Sequence, residues 1–139
     1  MTVQAKVTWV TERRFVGRAS SGHAIVVDAS DVKEGPSPME LVLIGLVGCT
    51  AYDVIGIMQK KRDAVTGLEV SAHAQRAETP PKVYTEITVE YVTHGENPSR
   101  KAVEDAIRLS QEKYCSAPIM LGRTAAITTA FRIEQAECA

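Results

Sequence analysis

Net charge is the first thing this sequence lacks: 16 Lys and Arg stand against 17 Asp and Glu, for a formal charge of −1. Phosphate recognition leans on clustered Lys and Arg. The basic clusters here are short, Arg13-Arg14 and Lys60-Lys61-Arg62. They read as solvated ends of structural elements, and no nucleic-acid partner is expected. A long apolar run is also missing. The longest uncharged apolar stretch, Leu41 to Tyr52, is twelve residues and stops at Asp53, which suits a buried helix better than a membrane span. The opening MTVQAKVTWV alternates polar and apolar, so it lacks the continuous core of a signal peptide. No membrane partner is expected.

Whole classes of chemistry are missing too. The chain carries no Walker-type or dinucleotide-binding glycine loop and no G-x-S-x-G turn. Its three histidines, His23, His73 and His94, are scattered over strands or a strand end without paired metal-ligand spacing. No cofactor and no metal are therefore expected. There is no internal repeat and no low-complexity segment. Three cysteines without a signal peptide suggest a reducing compartment, where disulfides are more often catalytic than structural. A cytoplasmic location follows as the expectation.

What is present is an ordinary globular composition, 45% hydrophobic and 24% charged over 139 residues, the size of one domain with a real core. Val3, Ala5, Val7 and Trp9 alternate with polar residues as in a half-buried strand. Two short strands follow, around Phe15–Ala19 and His23–Asp28, with Ser20-Ser21-Gly22 as their turn. The stretch DVKEGPSP (31–38) is a loop by composition. A long helix then starts with Ser37 as N-cap, Pro38 at the first position and Glu40 completing a Ser-x-x-Glu capping box, and it runs to about Arg62. Its first half is apolar almost all round, which requires burial on every side.

Gly45, Gly48 and Gly56 lie inside this helix, each costing about 1 kcal/mol relative to alanine. They share a face with Cys49 and Tyr52, which predicts the close approach of another helix backbone. Two alternating segments (68–74 and 85–91) flank Thr79-Pro80-Pro81 as an antiparallel pair. A second helix starts at Asn97-Pro98 and ends before Cys115-Ser116-Ala117-Pro118, and a last strand carries Ile127, Thr129, Phe131 and Ile133. Runs of strands separated by single helices predict a single α+β domain, 1–139. One chain with two main helices can hardly cover a helix apolar on all sides, so a homodimer is expected.

The residues that could carry chemistry are Cys49, in the middle of the long helix, and Cys115, where the second helix ends. Two readings stand for them. Free cysteines usually serve as small core hydrophobes. A reactive thiol needs thiolate character, usually from a nearby cation, and Cys49 is too far inside its helix for the dipole to supply it. Asp53, one turn on, opposes the thiolate unless it is itself paired. Cys138, next to last, is assigned no role.

The segment GPSPMELVLIGLVGCTAYDV (35–54), followed far downstream by Tyr114-Cys115-Ser116-Ala117-Pro118, resembles the OsmC/Ohr family of hydroperoxide reductases. The G-C-T-A-x-D form around Cys49 resembles the YhfA-like branch more than the well-studied peroxidase branches. The resemblance implies an OsmC-like fold, with antiparallel sheets packed around long central helices in an intertwined homodimer. It also implies thiol-dependent reduction of an organic hydroperoxide or hydrogen peroxide. In that chemistry Cys49 is the attacking thiol, Cys115 condenses with it to a disulfide, and an external dithiol reduces the bridge.

Two departures from the family pattern are visible. The peroxidase branches place a glutamate directly after the loop proline, paired with an arginine near the reactive thiol. Here Met39 stands there and Glu40 one position later, where it also has the capping job. For the arginine, Arg14 is the nearest candidate, with Arg13 and Arg18 as rivals. Asp53 is a further candidate for the carboxylate that holds an arginine against Cys49. The alternative function is a dimeric small-molecule-binding protein that keeps the scaffold without efficient peroxide turnover, and a purely structural cysteine pair is a third.

Overall fold

The computed structural model describes residues 1–62 and 65–135; Cys138 lies outside them. Two compact units, 1–44 and 45–139, are each described by themselves.

In the first unit, β1 (Ala5–Thr11), β2 (Arg14–Ala19) and β3 (Ala24–Asp28) form an antiparallel sheet in that order. The expected turn at Ser20-Ser21-Gly22 is present. Gly22 takes a φ of +93°, a conformation that glycine adopts without strain, and its N–H bonds the Ala19 carbonyl at 3.0 Å. Gly35 is demanded by proximity instead, because a Cβ there would come within 2.8 Å of the Val26 carbonyl oxygen. The first strand departs from expectation. Trp9 and Val7 remain 65% and 62% exposed, so their alternation marks a face left uncovered among the described residues.

Helix α1 (Pro38–Lys60) begins as the capping box predicts. The Ser37 N–H donates to Glu40 Oε1 at 3.1 Å and the Glu40 N–H to Ser37 Oγ at 3.2 Å, satisfying donors that the first turn would otherwise leave orphaned. At 23 residues, with a mean hydropathy of 2.1 in its most apolar window, α1 is long and apolar enough to cross a bilayer by length and composition. The twelve-residue run read from the sequence was cut at Asp53, but the helix continues through it.

Only Leu46, Thr50, Val54 and Met58, spaced four apart, are buried, while Ile44 and Tyr52 stand 54% and 80% exposed. A Cβ built on Gly45, Gly48 or Gly56 would meet no atom within 4 Å among the described residues. Among the described residues no helix covers the glycine face.

In the second unit β4 (Val65–Arg76) and β5 (Tyr84–Gly95) pair antiparallel, and β6 (Ala126–Gln135) joins β5 in parallel. The sheet is therefore mixed rather than purely antiparallel. The long helical connection after β5 supplies the crossover that a parallel pairing needs. That connection is α2 (Arg100–Leu109), a π-helical turn (Ser110–Tyr114) and α3 (Ser116–Leu121). The N-cap of α2 is Ser99, whose Oγ accepts the Ala102 N–H at 3.2 Å, and not Asn97, which sits at a φ of +52° outside the helix.

Val103, Ala106 and Ile107 put one face of α2 into the core with Ile87, Val89 and Tyr91 of β5. Arg100 stacks over Phe131 of β6 at 4.9 Å, and Lys61 reaches Asp105 at 3.6 Å, tying the end of α1 to α2. Because Leu46 is wholly buried, Leu46→Ala is expected to lower stability by about 3 kcal/mol. Ser37→Ala, which removes only the cap, should cost about 1 kcal/mol. Urea denaturation at fixed protein concentration reads both, and equal losses would show that the buried stripe of α1 is not packed as described.

Candidate functional site

Pro118 decides where the second helical segment breaks. Its ring would clash with the carbonyl of Tyr114 in a continuous helix. The chain instead turns extended at Cys115, with φ −84° and ψ 120°, before α3 starts. The preceding turn is widened and underwound into π geometry, and the Cys115 N–H closes it on the Ser110 carbonyl at 2.8 Å. This places Cys115 wholly inside the core.

Opposite it lies the middle of α1. Cys49 and Asp53, one turn apart on the same face, meet Cys115 in a cluster whose sulfur and carboxylate atoms all lie within 4.8 Å of one another. Cys49 and Asp53 are partly exposed, whereas Cys115 is not. The two sulfurs lie within 4.8 Å of each other. Burial pushes the Cys115 thiol up to about 12, and the neighbouring Cys49 and Asp53 reinforce the shift, outweighing the Ala117 N–H that favours the thiolate. Cys115 is accordingly a protonated thiol at neutral pH. Within the 45–139 unit, among the described residues, no cation pairs with Asp53.

The rotation of α1 is set from its other side by a polar network that sequence reasoning missed. Thr50 Oγ1 lies 2.7 Å from Tyr91 Oη and 3.0 Å from Ser110 Oγ, and Gln111 Nε2 donates to both Tyr91 and Thr50. One assignment satisfies the chain: Gln111 donates to Tyr91, Tyr91 to Thr50, and Thr50 to Ser110. Burial raises the Tyr91 pKa, so its hydroxyl stays a donor. The available signal was Thr50, a polar residue on the buried stripe of an apolar helix. A cleft of about 700 Å³, lined by Tyr52, Asp53, Ile55, Gly56, Leu109 and Tyr114 among others, opens beside the cluster.

The other predicted site residues lie in the first unit. Arg14 of β2 faces Asp28 of β3 in cross-strand register, and its Nε donates to Asp28 Oδ2 at 2.8 Å. Its Nη1 lies 3.6 Å from Glu34 and its Nη2 3.4 Å from the Val32 carbonyl. Asp28, completely buried and unremarked in the sequence, also accepts the Ser30 and Glu34 N–H groups at 2.8 Å each. Arg14 first, then Ser30 and Glu34, hold its carboxyl well below the usual carboxylate range. Arg13 and Arg18 are exposed. Glu40 is occupied by the cap, and the Ser37 N–H and hydroxyl lower its pKa.

Comparison with known proteins gives a consistent picture. The OsmC-like protein family matches residues 30–130, a span that includes parts of both units. Protein YhfA of Escherichia coli K12 is 39% identical over 131 residues, 94% of this chain and 98% of that one. A crystal structure of a hypothetical protein from Aquifex aeolicus superposes with a TM-score of 0.89 at 30% identity, covering 99% of each chain. The organic hydroperoxide resistance protein OhrB of Bacillus subtilis shares the fold, with a TM-score of 0.65 at 11% identity over 95% of this chain and 98% of that one.

Two predictions come from these arrangements. Because the Asp28 pKa is depressed from 3.8, its contribution to stability is fully present above that pH and is lost as pH falls below it. Asp28→Asn should therefore flatten the acid limb of a stability-versus-pH curve below about pH 4 while lowering stability at pH 7; an unchanged limb would contradict the pairing. Second, in reduced Cys138→Ser protein at neutral pH, iodoacetamide should label Cys49 about tenfold or more faster than Cys115. Peptide mass mapping reads the ratio, and preferential labelling of Cys115 would reverse the assignment of access and protonation.

Proposed function

The chain belongs to the OsmC-like protein family, and from that premise we propose that it is a thiol-dependent hydroperoxide reductase acting as a cytoplasmic homodimer. The observation that carries this reading is the contact of Cys49 with Cys115: an accessible thiol on α1 beside a buried, protonated one. That asymmetry suits a division of labour. The Cys49 thiolate attacks the terminal oxygen of the hydroperoxide, an S–O bond forms as the O–O bond breaks, and the alkoxide leaves as the alcohol after taking a proton. Cys115 then displaces water from the resulting sulfenic acid, its own proton leaving, and the S–S bond closes. An external dithiol regenerates the pair by exchange. The name of the Bacillus subtilis neighbour points the same way.

The dimer rests on the open face of α1. Tyr52 at 80% exposure and the three glycines with nothing against them form a strip that a second copy of the helix would cover. The Arg14–Asp28 pair enters the proposal as the counterpart of the family's arginine and carboxylate, with Asp28 taking the anchoring role for which Glu40, bound in its cap, is unavailable. Asp53 acts on Cys49 directly, as its neighbour one turn away. In this reading 1–139 works as one domain.

A second reading is favoured by one observation. Met39 stands where the peroxidase branches carry glutamate, and Glu40 is committed to Ser37. A dimeric protein that binds an apolar small molecule in the cleft beside Tyr52, without efficient turnover, fits that fact. The deciding experiment exposes reduced protein to one equivalent of cumene hydroperoxide and records its intact mass. Loss of two hydrogens within seconds in the wild type, absent in Cys49→Ser and Cys115→Ser, is the expected result. A fully reduced wild type would end the reductase reading and leave ligand binding.

A further inference from the structure

Cys49 and Asp53 stand one turn apart on α1 and present a soft and a hard donor to the same point. Cys115, from a different element, presents a second sulfur there, and all three donor atoms lie within 4.8 Å of one another. Two of the three are partly exposed, so a solute can enter from the α1 side. In a tetrahedral zinc site with sulfur ligands about 2.3 Å from the metal, neighbouring sulfurs sit roughly 3.8 Å apart. The cluster is thus about 1 Å too open at most, within reach of small side-chain rotations. The Asp53 carboxylate has no cation partner within its unit among the described residues, and it sits against two thiols, where its charge has no evident structural use.

We propose that Cys49, Asp53 and Cys115 form a binding site for a soft divalent cation of the zinc type, with a fourth position open to water. Thiolates select such ions over magnesium or calcium, which prefer all-oxygen shells. The two thiols lose their protons to solvent as the two metal–sulfur bonds form, and two thiolates with one carboxylate leave the occupied site at a net charge of −1. Histidine spacing gave no hint of this, because the donors come from a helix pair of Cys and Asp and from a distant break in the chain.

The cation and the disulfide exclude each other. While both sulfurs are bound to the metal, neither is free to attack a peroxide. Oxidation therefore follows release of the cation: as it leaves, the two sulfurs take up two protons, and one equivalent of hydroperoxide then converts the two thiols to the disulfide, the alcohol and water. The site therefore senses and buffers the same thiols that the proposed reductase uses, and it exists whether or not they turn over peroxide.

The test uses reduced, full-length Cys138→Ser protein titrated with cobalt(II) in the absence of any peroxide. One equivalent per chain should generate the near-ultraviolet sulfur-to-cobalt charge-transfer band and the visible bands of tetrahedral cobalt, and zinc should erase both. Asp53→Asn, close in shape to the wild type, should retain the band with affinity reduced at least tenfold. Cys49→Ser and Cys115→Ser should each lose half or more of its intensity, and protein oxidised to the disulfide should show none. Circular dichroism confirms that each variant is folded before titration. No band in the wild type, or undiminished affinity in Asp53→Asn, would overturn the site. Disulfide formation with peroxide in protein that ignores cobalt would sink this proposal alone, whereas cobalt binding by a chain inert to peroxide would sink only the reductase.

Discussion

Thr50 holds the arrangement of the second unit together. A hydroxyl on an otherwise apolar buried stripe is costly unless it is hydrogen-bonded. Here it is bonded to Tyr91 on β5 and Ser110 at the end of α2, with Gln111 completing the set. Leu46, Val54 and Met58 alone would allow α1 to slide or roll on the core, since hydrophobic burial is not directional. The Thr50 bonds are directional, and they fix the helix in rotation. With Thr50 facing Tyr91, Cys49 and Asp53 are brought beside Cys115 while staying partly exposed.

The same network sets the other half of the cluster. Ser110 is both a partner of Thr50 and the carbonyl that closes the π-helical turn onto the Cys115 N–H. Pro118 forces the break, the widened turn absorbs it, and the sulfur of Cys115 is delivered inward, where burial keeps it protonated. Position and protonation state of one thiol thus follow from a proline three residues later and a hydroxyl one helix away. The other thiol, on the open side of α1, is left accessible.

The three carboxylates singled out by position behave differently because their partners differ. Asp28 is buried yet ionised, since Arg14 and two backbone N–H groups replace the water that it gives up. Glu40 spends its charge on a helix start at the surface. Asp53 has two thiols beside it and no cation in its unit among the described residues, so it repels negative charge on the Cys115 sulfur. That unbalanced acid is the charge that the proposed cation would neutralise.

Local signals were legible in the sequence wherever the physics is local. The capping box at Ser37 and Glu40, the turn at Gly22, the alternation of β5 and β6 and the break before Pro118 each depend on residues within a few positions. The two cysteines were likewise visible, through their setting and their resemblance to a known family. The N-cap of α2 was misplaced at Asn97 because Ser99, equally competent, stood two residues on.

What the sequence could not supply was everything that depends on faces meeting: the parallel pairing of β6, the cross-strand bond from Arg14 to Asp28, the Thr50 network and the approach of Asp53 to both sulfurs. These need the rotation of a helix and the register of strands, which are set by contacts between residues far apart in the chain. The sequence, through its resemblance to a known family, singled out two thiols. Only tertiary structure decided that their sulfurs lie within 4.8 Å of each other, that Cys115 keeps its proton, and that an acid stands beside them.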